Sequence, residues 1–335
     1  MIKIKHFIFI GLTLITANII SACSQGSSGN SQSVNYGLVT VANPNNESDP
    51  LTGFGGVDYI YQIGKYDVTI GQYTAFLNAI AKVDTYGLYN PQMGTDLNSA
   101  GISRSIVSGN YVYTVMYNGG DSTNRPITYV TWLDAARFAN WMANGQPSGT
   151  QNSSTTENGA YNLNGAMSGN AVTKNLINPN TGQIPSYAIP TYNEWYKAAY
   201  YSPQLNSGKG GYYMYATESN TAPGNVIGNL PNNANNFPGS TFSVTQSATY
   251  LYATQNYLTD VGAFTASASY YGTFDQNGNV YQWNDLDGSP TPYRGLAGGY
   301  WFAGANAMQA TIYSTNSITG TDNGTGFRLA APSAQ

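Results

Sequence analysis

Apolar and polar residues alternate along VDYIYQIGKYDV, residues 57–68, and the alternation predicts a strand. The period changes in the next stretch, TIGQYTAFLNAIAKV. There Tyr73, Phe76, Leu77 and Ile80 recur at three and four residues, which predicts a helix capped by Thr69. ISRSIVSGNYVYTVMY, residues 102–117, places two β-rich runs around Ser108-Gly109-Asn110 and reads as a hairpin. RPITYVTWLDAARFANWMANG, residues 125–145, predicts a second helix. Thr131 caps it with Asp134 three residues on, and Trp132, Ala135, Phe138, Ala139, Trp141 and Met142 form its apolar face. Gly145 ends it. A third helix starts in IPTYNEWYKAAYY, residues 189–201, where Thr191 and Glu194 have capping-box spacing. Residues 145–188 and 202–260 are polar and rich in Asn and Gly; loops this long in a compact domain are typically functional or ligand-ordered. The last third holds short strands between turns. No internal repeat is present, and no composition shift after Ser33 marks a second domain.

The N-terminal pattern is different. Lys3 and Lys5 precede an apolar run from Phe7 to Ile20, too short to span a bilayer, so residues 1–22 read as a secretory signal. Ile20-Ser21-Ala22 before Cys23 resembles the lipobox of bacterial lipoproteins, in which the cysteine is lipidated and becomes the first residue. An ordinary signal peptide with a cysteine at its cleavage site is the other reading. Residues 23–35 then form the lipidated Cys23 and a polar, Gly-containing tether. Ser24 is not acidic, which by resemblance to Gram-negative lipoproteins favours the outer membrane. The expectation is an exported protein, anchored to a membrane by its N-terminal lipid and not spanning it. Cys23 is the one cysteine and His6 the one histidine of 335 residues. Cleavage therefore leaves a domain with no imidazole and no thiol beyond the lipidated one, and with no disulfide although its compartment allows one.

Composition narrows the classes further. Hydrophobic residues at 41% and 29 tyrosines suffice for a packed core, which excludes a disordered chain. Charged residues are only 8%, the net charge is −4 and no basic patch occurs, so no nucleic-acid partner is expected.

Six stretches carry a family resemblance: GKYDVTIGQYTAFLNA (64–79), RPITYVTWLDAARFANWM (125–142), IPTYNEWYKAAYY (189–201), GTFDQNGNVYQW (272–283), YRGLAGGYWF (293–302) and GFRLA (326–330). In order and spacing they resemble the sulfatase-modifying factor family, whose best-known member is the formylglycine-generating enzyme. The resemblance covers residues 36–332. It implies an α+β domain, a large variant of the C-type lectin fold with few helices, short strands and much coil.

The resemblance also implies a chemistry. Formylglycine-generating enzymes use two cysteines five residues apart to bind copper and oxidise a substrate cysteine with oxygen. The matching stretch here is GGYWFAGANAM, with Ala303 and Met308 at the two positions. Alanine cannot ligate a metal, and a thioether has no thiolate. No catalytic residue is therefore assigned and copper is not expected. A second branch, resembling ergothioneine-type sulfoxide synthases, needs histidine ligands for iron; with only His6, iron is not expected either. A Ser-His-Asp arrangement is excluded for the same reason. Carboxylates remain at Asp260, Asp275, Asp285, Asp287 and Asp322, and Asp285 and Asp287 in NDLDG read first as turn chemistry.

By the same resemblance a calcium site falls on the Asp275 side chain, the carbonyls of Gly278 and Val280, and Gln282. Gln282 stands where the family has an acid, so the site is weakened or is simply a structural turn. The family's second calcium loop falls around Asn235 and Asn236, with no matching acid near residues 253–255. Arg294 and Arg328 match family arginines, and buried bonding to carbonyls is their expected role. Trp132, Trp141, Trp195 and Trp283 read as core. Trp301 falls where the family's cleft would lie and is expected to be exposed. The segment 300–323 is rich in aromatic and amide residues, a composition suited to recognition. Tyr300, Trp301, Asn306, Tyr313 and Asn316 are its candidate ligand contacts. It weakly resembles the C-terminal variable regions of retroelement-diversified proteins. The resulting expectation is an envelope lipoprotein whose inactive domain binds a glycan or protein. The alternatives are an enzyme with non-cysteine chemistry and a structural envelope component.

Overall fold

Thr69, Thr131 and Thr191 each begin a helix by the same local device. Each hydroxyl accepts from the backbone N–H three residues on, and the side chains of Gln72, Asp134 and Glu194 accept in return from the threonine N–H. The computed structural model describes residues 33–247 and 251–333. Cys23, His6 and the signal segment 1–22 lie outside the described residues.

In chain order the elements are β1 (Leu38–Val41), β2 (Tyr61–Gly64), α1 (Ile70–Ile80), α2 (Gln92–Thr95), β3 (Ile102–Val107), β4 (Asn110–Val115), α3 (Trp132–Ala143), α4 (Tyr192–Tyr200), β5 (Tyr201–Ser202), α5 (Leu205–Gly208), β6 (Gly211–Tyr212), β7 (Tyr281–Asn284), β8 (Tyr293–Ala297), β9 (Ser314–Ser317), β10 (Thr325–Phe327) and β11 (Ala330–Pro332). The chain thus has the α+β character expected, with short strands and much coil. Among the described residues no helix is long and apolar enough to cross a membrane.

One sheet has the order β1-β2-β11, all antiparallel, and a second the order β10-β7-β8-β9, with β10 parallel to β7. The strand expected over 57–68 shrinks to β2, because its partners β1 and β11 are no longer than it is and the ladder ends with them. The β3–β4 hairpin turns at Ser108 and Gly109 with φ of 49° and 80°. Positive φ at both central residues is the turn that matches strand twist.

α3 is buried along its whole length. Phe138 is its centre, with ring centroids 6.0 Å from Tyr73, 5.2 Å from Phe76, 5.7 Å from Trp141 and 5.4 Å from Phe327. The polar residues of α3 are buried too: Asp134 is satisfied by Thr131, and Arg137 and Asn140 by the loop 145–188. Arg137 pairs with Glu157 at 2.7 Å. Asn140 donates to the carbonyls of Thr156 and Tyr161 and accepts from the Tyr161 N–H. Side-chain amides therefore order a loop that has almost no strand pairing of its own.

Truncating the centre should cost more than removing a cap. Phe138→Ala is expected to lose about 3–5 kcal/mol and Thr131→Ala about 1 kcal/mol in urea unfolding; the reverse order would refute this account of the core.

Candidate functional site

Between β10 and β11 the chain buries Arg328 completely. Its guanidinium reaches four acceptors on three segments: Nε donates to Gln282 Oε1 (2.7 Å), Nη1 to the Gly64 carbonyl (2.9 Å), and Nη2 to Asp67 Oδ1 (2.9 Å) and the Phe274 carbonyl (2.7 Å). Gln282 in β7 accepts a second bond from Trp195 Nε1 of α4 (2.7 Å) and donates from Nε2 to the Asp275 carbonyl (2.7 Å). Asp67 Oδ2 is buried without a partner among the described residues. Burial pushes the Asp67 carboxyl well above the usual range despite Arg328, and the nearby Asp275 adds to the rise. Burial raises Asp275 to about 6, against the Gly262 N–H and Arg328. Burial also takes Asp134 to about 6, against its bonds from Thr131.

A second buried arginine, Arg294 of β8, pairs with Asp285 at 3.1 Å and lies 4.9 Å from the Trp132 ring centre. Asp285 also accepts from Trp132 Nε1 (2.8 Å) and the Tyr161 hydroxyl (2.6 Å). Both arginines are buried as expected, but each binds a carboxylate as well as carbonyls. The turn reading of NDLDG holds for Asp287, which accepts from the Ser289 N–H (2.9 Å). It fails for Asp285, whose carboxylate is spent on three distant donors.

The positions that match the family's cysteines are structural. Met308 is fully buried, and its carbonyl accepts from Asn277 Nδ2 (2.9 Å) and the Tyr200 hydroxyl (3.2 Å). Ala303 is half-buried and accepts from the Phe237 N–H (2.9 Å).

One expectation is corrected. Trp301 is not exposed: it is 1% accessible, stacks on Tyr257 at 5.0 Å and 7°, and donates from its indole N–H to the Asn323 carbonyl (3.0 Å). It anchors the segment 300–323 and has no face to offer a ligand. The Gln282 side-chain oxygen accepts from Trp195 and Arg328, and its nitrogen donates to the Asp275 carbonyl. In the same loop the Asp275 carboxylate accepts from the Gly262 N–H, and the Gly278 N–H donates to the Gly298 carbonyl. Tyr300, Asn306, Tyr313 and Asn316 do reach the surface to different degrees. Tyr300 stacks on Tyr281 (5.4 Å), whereas Tyr313, 47% accessible, sets its ring against Phe54 (5.6 Å) and Tyr192 (5.3 Å). Tyr300 and Tyr313 thus pack against different segments.

Sequence reasoning missed a polar wall beside Tyr300. Tyr129, with φ of 60°, donates its hydroxyl to Asp96, which also accepts from Asn323 Nδ2 (3.0 Å). The Asp322 carbonyl accepts from the Tyr129 N–H (3.0 Å). Burial first, and then the Asp322 carboxylate, raise the Tyr300 hydroxyl. These residues come from three separated segments, and nothing in the local sequence marks them.

A family profile described as the sulfatase-modifying factor enzyme 1-like domain matches residues 30–332. The chain belongs to the sulfatase-modifying factor family. Three solved structures are similar to the chain. Treponema denticola variable protein 1 is 17% identical with a TM-score of 0.51, covering 90% of this chain and 97% of its own. CarF is 21% identical with a TM-score of 0.49, covering 89% and 98%. PvdO from Pseudomonas aeruginosa is 16% identical with a TM-score of 0.42, covering 89% and 92%. No curated protein matches the sequence.

The raised carboxyls fix the sign of a pH effect. The native state of this family member keeps protons on Asp67, Asp134 and Asp275 that the unfolded chain releases near pH 4, so stability falls as pH rises from 4 toward 8. A higher melting temperature at pH 5 than at pH 8 is expected, with a smaller difference in Asp67→Asn. A melting temperature that climbs with pH over this range contradicts the account.

Proposed function

We propose that this chain is an envelope lipoprotein whose sulfatase-modifying-factor domain has lost oxidation chemistry and serves as a binding module for a glycan or protein. The observation that carries the reading is the fate of the two catalytic positions. Ala303 offers no donor atom, and Met308 is packed into the core with Tyr215 and Ala234. No cysteine or histidine lies within residues 33–333 to replace them. Meanwhile the matching segment is anchored by the buried Trp301 and carries exposed side chains, Phe302 at 40%, Ile312 at 44% and Tyr313 at 47%, and an exposed Asn306. Rigid aromatics next to adaptable amides suit recognition at low entropic cost. The name of the Treponema denticola neighbour, a variable protein, is in keeping with a face whose side chains can change without disturbing the core.

The lipid on Cys23 would hold this face at the outer membrane, with the following polar residues as tether. Metabolic labelling with palmitate is expected to mark the wild type and to vanish in Cys23→Ser; label retained by the variant would remove the anchor from the proposal.

The binding reading is tested by screening the purified protein against glycan and protein panels, then repeating any hit with Asn306→Ala and Tyr313→Ala. Each is expected to weaken binding about tenfold, equivalent to about 1.4 kcal/mol, with an unchanged melting temperature. Binding indifferent to both, or no binding across the panels, would overturn it.

A further inference from the structure

The family resemblance puts calcium at two places, and at both the side chains present do an ion's work without one. Calcium takes six to eight hard oxygen ligands, and carboxylate charge sets its affinity. At the first place Gln282 stands for the acid. Its orientation is fixed by chemistry: Oε1 faces two N–H donors, Trp195 Nε1 and Arg328 Nε, so Nε2 must be the group facing the Asp275 carbonyl. The Asp275 carbonyl thus accepts an N–H from Gln282, and Asp275 Oδ2, on the side chain that the resemblance would give to the ion, accepts from the Gly262 N–H (2.6 Å). A dication here would also sit beside the buried Arg328 charge, whose repulsion is poorly screened by a dry surround.

At the second place Asn279 accepts through Oδ1 from Asn235 Nδ2 (3.0 Å) and the Thr259 N–H (3.2 Å), and donates through Nδ2 to the Thr259 carbonyl (3.1 Å). Asn235 Nδ2 reaches the Tyr257 carbonyl as well (2.9 Å), and the Asn235 carbonyl accepts from the Asn279 N–H (2.9 Å). The two loops also touch directly. Gly278, at φ of 76°, lies so close to Asn235 that an added Cβ would come within 2.2 Å of its carbonyl oxygen. A cavity of about 10 Å³ beside Asp275 is lined by Thr217, Asn233, Ser267 and Asn277, among others. That is room for one water. Among the described residues no three acids, cysteines or histidines gather as a metal set.

We infer that this chain closes its fold with paired amide clasps, Gln282 on Asp275 and Asn235 on Asn279, in place of calcium, and is stable independently of that ion. The inference does not rest on the binding function.

The test is thermal unfolding of the full protein after exhaustive chelation and again in excess calcium, together with terbium luminescence, which reports occupancy near the tyrosines and tryptophans. The wild type is expected to melt at one temperature in both buffers and to give no saturable terbium signal. Gln282→Met, which keeps length but removes the amide, is expected to melt several degrees lower, with calcium restoring nothing. A wild-type melting temperature lowered by chelation, a stoichiometric terbium signal lost in Asp275→Asn, or a Gln282→Met protein as stable as wild type would each overturn the inference. If Gln282→Met does not fold, the two wild-type measurements decide alone.

Discussion

A guanidinium taken wholly out of water must find acceptors for its N–H groups, and Arg328 finds them on three stretches that are remote in sequence. Gly64 ends β2 and Asp67 follows it, Phe274 precedes the DQNG turn and Gln282 is in β7. Removing a partner from such a centre leaves a buried charge uncompensated, at about 3–5 kcal/mol. Gln282 is held in one orientation by this arginine, and through that orientation it fixes Trp195 of α4 and the Asp275 carbonyl. The two sheets, the third capped helix and the turn at 275–282 therefore share one hydrogen-bonded hub. Arg294 plays a smaller version of the same part for Asp285, Trp132 and Tyr161.

Away from the hubs the structure is ordered chiefly by neutral amides. Asn140, Asn144 and Asn178 tie the loop 145–188 to α3 and its C-terminus, and Asn225, Asn233 and Asn236 brace the loop 224–243. This explains a composition that is puzzling on its own. Only 8% of residues are charged, yet long loops are held in place, because each buried amide can satisfy a carbonyl and an N–H at once. Regular pairing is short because side chains supply what strand ladders supply elsewhere.

Features whose causes are local were legible in the sequence. The three capping threonines need only a partner three residues on, and the β3–β4 turn needs only Ser108 and Gly109. The family was legible because six separated stretches keep their order. Features set by distant partners were not. β2 is trimmed by the lengths of β1 and β11. Asp285 sits in a turn-like sequence but answers to Trp132, 153 residues away. Trp301 occupies the cleft position yet is buried, because Tyr257 and Asn323 claim its ring and its N–H. The Tyr129–Asp96–Asn323 wall joins residues up to 227 apart and leaves no local trace.

At the two positions that the resemblance aligns with the family's cysteines, Met308 is buried in the core and Ala303 is half-buried. The most direct measurement incubates the purified protein with a cysteine-containing sulfatase peptide, oxygen and copper, and follows the peptide by mass spectrometry with an aldehyde-specific probe. The account predicts unchanged peptide and no oxygen uptake. Conversion of the peptide cysteine to the aldehyde above the protein-free control would contradict it.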